Sequence, residues 1–461
     1  MKRLLAALLC LALLCVAGCG ETPGNVESTD GTIGTSGDGP GTVGTNETPS
    51  SAESTADTTG EDTPGPVTPP AVQAWYPIDS GMTETPARVL YLDVFQLCYY
   101  NKIDGNCYVF CFDPLCMHQN MQKCISYRFF MWMVAGQNIE YSDYNGRLYV
   151  LRGQKIYSLR SDGSDVRLEC SFGEKGDWNE LAMAGEITES LQRMTLQGRY
   201  LYMENIVRQD NRTVTTLVCY DMETGEVRTL EVGESEDYGN YFVGEDCLYV
   251  SFYPLDSIEQ EWYRMDPTLT TRERMEETDF LEGAYPFRSI CDGSTLCFVE
   301  EHWEYDSNGN VVDLDYGEIK LYDFESGEQK VLYEMEAQHN STIKLLAMTE
   351  ESIYFTVYDP LYLGTYMDSR TGRETVYTNN YHQIYRMDRD GGNLTIIMDD
   401  ISCEVTDIIL LDSKILIDGY ICQEIEGSHS AKKSSYMMAT LDEDGMVTSI
   451  EQVLNASGPI F

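Results

Sequence analysis

The chain is poor in positive charge. Its 461 residues carry 31 lysines and arginines against 76 aspartates and glutamates, a formal charge of -45. Such a balance repels phosphate backbones, so no nucleic-acid partner is expected, and anionic lipid headgroups are disfavoured. Histidine is scarce: His118, His302, His339, His382 and His429 are the whole supply. There is no Gly-x-Ser-x-Gly, no His-Glu-x-x-His and no glycine-rich phosphate loop. Helix signals are sparse beyond residue 71. What is present excludes a wholly disordered chain: 42% of residues are hydrophobic and 11% aromatic, with 32 tyrosines.

Lys2 and Arg3 precede an apolar run of 13 residues, Leu4 to Val16, too short to span a bilayer comfortably. It reads as the apolar region of an export signal. Val16-Ala17-Gly18-Cys19 follows, and resembles the lipobox of bacterial lipoproteins. That resemblance implies a signal peptide over 1–18 and Cys19 as the lipid-modified N-terminus, carrying diacylglycerol and palmitate-type acyl chains. The expected location is the outer side of the cell membrane, lipid-anchored. An ordinary secretory leader is the bland alternative. Residues 19–70 read as a flexible tether. From Gly20 to Pro70 there are 10 Gly, 12 Thr, 5 Ser and 7 Pro, with no Lys, Arg, Tyr, Phe or Trp. Such a segment buries too little apolar surface to offset its ordering entropy.

Residues 80–461 are expected to form one all-β domain. A turn followed by paired apolar residues recurs, with leading residues Leu148, Leu201, Leu248, Leu296, Ile353 and Ile415 spaced 53, 47, 48, 57 and 62 apart. A second anchor runs from an aromatic strand into a glycine turn: Tyr157 to Gly163, Tyr220 to Gly225, Tyr322 to Gly327, Tyr385 to Gly391. Glycine there supplies positive φ. A period near 50 with three or four strands per unit predicts a β-propeller. Seven blades are expected, with six or eight as alternatives, and the first unit runs from Val89 to Asp113.

The stretches Ile384-Tyr385-Arg386-Met387-Asp388-Arg389-Asp390-Gly391-Gly392 and Ile156-Tyr157-Ser158-Leu159-Arg160-Ser161-Asp162-Gly163-Ser164 resemble blade cores of an uncharacterised group of bacterial cell-surface lipoproteins. They are also similar to TolB-like and low-density-lipoprotein-receptor-like propellers. Many members of the group come from anaerobic gut Firmicutes. The resemblance covers roughly residues 85 to 450 and implies the fold, without an assigned activity. The repeated Tyr-Trp-Thr-Asp box of the receptor propellers is missing.

Five cysteines fall between Cys98 and Cys124, with His118 among them. One reading is a Cys116–Cys124 disulfide closing a surface loop. A second is zinc held by Cys116, His118, Cys124 and one other cysteine. A third leaves thiols. Asp388, Asp390 and Asn393 match part of a calcium loop, but turn formation explains them without metal. His302, in an acidic stretch, reads as a solvated loop histidine, with a metal or general-base role as the alternative. The insertion from Val357 to Tyr381 carries Tyr358, Tyr362, Tyr366 and Tyr377 and is expected to project as a hairpin; its rings either contact ligand or pack the hairpin against the propeller rim. No catalytic residue, metal ligand or cofactor is assigned. The expected function is a surface lipoprotein with a non-catalytic propeller that binds a glycan, peptide or protein. The alternative is an extracellular hydrolase or lyase acting on polymers from an acidic central channel.

Overall fold

A computed structural model describes residues 73–453, except 78–80, 94–95, 112–115, 117–123, 125, 127–138, 143, 153, 173–188, 210–211, 256–258, 277, 282–283, 286–287, 306–310, 337–341, 368–372 and 423–431. All of them belong to the body Thr68–Phe461. The expected signal, lipobox and tether, and His118, His339 and His429, lie outside the described residues. No helix among the described residues is long and apolar enough to cross a membrane.

Alternating apolar strands of three to thirteen residues pair antiparallel in chain order into seven sheets. Blade one runs from Met82–Glu84 to Cys107–Val109, blade two from Ile139–Ser142 to Arg167–Ser171, and blade three from Glu189–Gln197 to Val227–Thr229. Blade four spans Glu236–Val243 to Arg272–Arg274, and blade five Ser289–Cys291 to Gln329–Glu336. Blade six spans Ile343–Thr349 to Thr395–Asp399, and blade seven Cys403–Leu411 to Val447–Gln452.

One such sheet leaves two apolar faces in water; a ring of sheets buries both. Seven hydrophobic cores result, one between each blade and the next. The last joins blade seven to blade one through Ile409, Leu416 and Tyr436 against Val89, Tyr91 and Tyr100. The fold is therefore a closed seven-bladed β-propeller. Its seam has a staple: strand Ala74–Trp75 pairs with the inner strand of blade six. The next residue, Tyr76, accepts a hydrogen bond from Leu410 N in blade seven and donates one to Glu84 in blade one, at 3.1 and 3.2 Å.

Antiparallel order sorts the connections. Turns between first and second strands, and between third and fourth, emerge on one face. Second-to-third hairpins and the crossings between blades emerge on the other. Both sequence anchors therefore fall on the first, or turn, face. There Asp221 Oδ1 accepts from the N–H groups of Glu223 and Thr224, and Gly225 takes φ +74°. Asp323 and Gly327 (φ +70°) repeat the arrangement. The partial calcium loop is used up in the same way: Asn393 Nδ2 donates to Asp388 and Gly392 N to Asp390. Longer connections between described strands lie on the crossing face. They include the hairpin Leu361–Met367 with Glu374–Asn379, inserted within blade six as the tyrosine-rich insertion predicts.

Candidate functional site

The second strand of blade five, Thr295–Tyr305, and the third, Val311–Asp323, form a long ribbon that rises to the crossing face. Leu296 and Phe298 point into the core shared with blade four, as does Tyr322 on the third strand. A strand keeps this period of two. Glu300 and His302 therefore continue the blade-four side, and so do Lys320 and Glu318. The register sets Glu300 directly across from Glu318, and His302 two pairs further on, across from Tyr316.

Two carboxylates opposed on one sheet face repel each other unless a cation lies between them. Lys320 Nζ takes that place, pairing with Glu300 and, at 3.4 Å, with Glu318. The same Nζ lies 4.8 Å from the centroid of the Phe280 ring, in the crossing that leads from blade four into blade five. His302 Nε2 stands 3.3 Å from Glu318 and 3.6 Å from Glu300. One ligand atom from each of Glu300, His302 and Glu318 falls within a common 4.8 Å. All three side chains are half-buried, so solvent or a ligand reaches them. On the opposite side of the ribbon, Glu301 is buried and paired with Arg288.

A nitrogen and two carboxylate oxygens so arranged can hold a hard or borderline divalent cation with positions left open for water or substrate. They can also act as a proton-transfer unit in which a carboxylate orients the imidazole. The expectation of a module without catalytic equipment is corrected by this cluster. His302 is not a loop histidine. It lies in a paired strand beside two carboxylates, because the alternation of the core continues past the end of the short inner strand Ser289–Cys291. The signal in the sequence was the continued pattern Leu296, Phe298, Glu300, His302 against Glu318, Lys320, Tyr322. A net charge of -45 hid it, since acidic residues are adjacent almost everywhere.

The other assigned residues are dispersed. Tyr358 packs edge-on against Tyr381 at 5.7 Å. Tyr362 is 62% exposed on the first strand of the inserted hairpin. Tyr366 and Tyr377 occupy its two strands, their side chains outside the described residues. Cys116 and Cys124 come together with a third cysteine, Cys111, their sulfurs within 4.8 Å of one another. His382 is buried on blade six, with Nδ1 3.1 Å from Asp399. On the inner strand of blade two, burial pushes the Glu140 carboxyl up to about 8.

No family model matches the chain, and no curated protein does. Solved structures do. The chain is similar to an oligogalacturonate lyase in complex with manganese, at 13% identity and TM-score 0.45, over 78% of this chain and 87% of that one. It is similar to dipeptidyl peptidase 4 of Porphyromonas gingivalis at 10% identity and TM-score 0.44, over 82% of this chain. It spans 60% of that peptidase's length. A putative TolB from Agrobacterium tumefaciens matches at 13% identity and TM-score 0.30, over 63% of this chain and 84% of that one. Likenesses this distant say nothing about activity.

Proposed function

We propose that this propeller is a surface-held hydrolase or lyase that acts on an extracellular polymer on the crossing face of blade five, on the side toward blade four. The observation that carries the reading is the convergence of Glu300, His302 and Glu318 on the crossing face. In this reading His302 moves the proton, taken from water for hydrolysis or from substrate carbon for elimination. Glu318 orients its ring, and Lys320 or a divalent cation neutralises charge that develops on substrate oxygen. A cation held by Glu300 and Glu318 would supply Lewis-acid polarisation and leave His302 free to move the proton. The strongly acidic body favours a neutral polymer over a polyanion. Tyr362 and the projecting hairpin, with Tyr358, Tyr366 and Tyr377, supply contact area for a glycan or peptide chain on the same face. The sequence pattern around Cys19 supports a lipid anchor, with residues 19–70 as the spacer that holds the ring away from the membrane.

The test is a product screen with the purified full-length chain on neutral polysaccharides and peptides, with and without Mn(II). Reducing ends, unsaturated ends or free amines are read out. A His302→Ala or Glu318→Gln variant is expected to lose at least a hundredfold in rate while its far-ultraviolet spectrum is unchanged. Turnover undiminished in both variants, or no product from any polymer, overturns the assignment. For the anchor, a Cys19→Ser variant is expected to move from the membrane fraction to the soluble fraction.

A further inference from the structure

The crossing from blade one to blade two is the longest in the ring. It runs from residue 110 to 138, which is 29 residues, whereas residues 400–402 suffice between blades six and seven. Two of its points meet at a single carbonyl on the third strand of blade one. Leu97 O accepts a hydrogen bond from Phe110 N at 2.9 Å and another from Ser126 Oγ at 2.8 Å. The start and the middle of the crossing are thereby drawn together, and with them the residues beside those points, Cys111 and Cys124. Cys116 completes the group, the three sulfurs lying within 4.8 Å of one another.

We propose that Cys111, Cys116 and Cys124 form a three-thiolate site for a soft divalent cation of the zinc type, which ties this crossing onto blade one. Tetrahedral zinc holds sulfur at about 2.3 Å, which sets sulfurs about 3.8 Å apart, a spacing that the trio reaches with small side-chain shifts. Three donors are too many for one disulfide, which would leave the third sulfur over; one cation satisfies all three. The fourth position is open to water or one more donor, since Cys111 and Cys116 are half-buried while Cys124 is fully buried.

The other cysteines behave differently. Cys219, Cys297 and Cys403 are scattered through separate inter-blade cores. Burial pushes their thiols up to about 12, so they stay protonated packing groups. Among the described residues no other cysteines gather in threes. Loading the site exchanges thiol protons for one dication, so its affinity rises with pH. The surrounding charge of -45 draws cations toward it.

The test uses the purified full-length chain, reduced and stripped of metal, titrated with Co(II) and then Zn(II). One cobalt per chain is expected to bring sulfur-to-metal charge-transfer absorption in the near ultraviolet, which Zn(II) then abolishes. Cobalt held by Glu300, His302 and Glu318 has no sulfur ligand and gives no such band, so the two sites fail separately. A Cys116→Ser variant, altered at a half-buried position, is expected to lose the band and at least tenfold in Zn(II) affinity. A Cys170→Ser variant, outside the trio, is expected to bind as the parent does. Zn(II) is expected to raise the melting temperature of the parent and not that of Cys116→Ser. Absence of the band in reduced protein, an unaltered band in Cys116→Ser, or a Cys116–Cys124 disulfide mapped in the protein as isolated overturns the proposal.

Discussion

The Tyr238 hydroxyl of blade four donates a 3.0 Å hydrogen bond to Glu204 Oε1 of blade three. The same oxygen lies 3.0 Å from Arg193 Nη1, and Glu204 is 2% exposed. A buried carboxylate is tolerated only while its partners remain. Arg193 sits in a bulge at φ +54°, held there by Tyr241, whose hydroxyl donates to Arg193 O at 2.6 Å. Arg193→Met is expected to cost about 3–5 kcal/mol, because it strands a buried charge. Tyr238→Phe removes one hydrogen bond to a charged group and is expected to cost about 1.5–3 kcal/mol. Urea titration ranks the two variants; equal losses would show that the ion pair is not what holds Glu204.

Lys320 separates two carboxylates that the sheet register forces together. Lys320→Met removes that cation. The variant is expected to be less stable by about 1 kcal/mol in the absence of divalent ions. It is expected to regain that stability on addition of Mn(II), because the two carboxylates and His302 then have a dication to share. Melting curves with and without Mn(II) check it; a variant indifferent to Mn(II) would remove Glu300 and Glu318 as cation ligands.

Glu140 gives a stability slope of unusual sign for an acid. Burial raises its folded pKa from 4.5 to about 8, so the folded chain keeps a proton that the unfolded chain loses. This contribution is complete below the unfolded value and is lost as pH rises from there through about 8. Glu140→Gln stays neutral throughout. The stability difference between variant and parent is therefore expected to widen in favour of the variant across that window, by at most about 1.4 kcal/mol per pH unit. A constant difference from pH 5 to pH 8 would show that Glu140 titrates alike in both states.

Gly419 lies where the second strand of blade seven passes the inner strand. A Cβ there would stand 1.9 Å from Glu404 O, a backbone atom that cannot turn aside. Gly419→Ala is expected to destabilise the ring by roughly 3 kcal/mol or more, since relief requires moving a whole strand. Calorimetry measures it. A loss under about 1 kcal/mol would mean that the strand shifts easily.

Much of the architecture was legible because its causes are local. A propeller repeats one hairpin chemistry, and a Tyr followed five or six residues later by a Gly announces four of the turns whatever the blade number. The inserted hairpin was legible for the same reason, since its tyrosines interrupt a known period. His302 was legible as a residue with two readings, but the sequence favoured the solvated loop over the site. Its meaning depends on Glu318, sixteen positions away, and on a strand continuing past its inner neighbour into a stretch that reads as an acidic loop.

The sequence by itself determined that the globular part is all-β, that it repeats, and that its turns carry glycine at positive φ, because period and turn chemistry act over a few residues. Only the tertiary structure decided that the count is seven. It also placed the recurring turns on one face and the inserted hairpin on the other. It set Glu300 across from Glu318, and gathered Cys111 with Cys116 and Cys124. Those outcomes come from strand register and ring closure, which bring together residues whose separation along the chain carries no local signal.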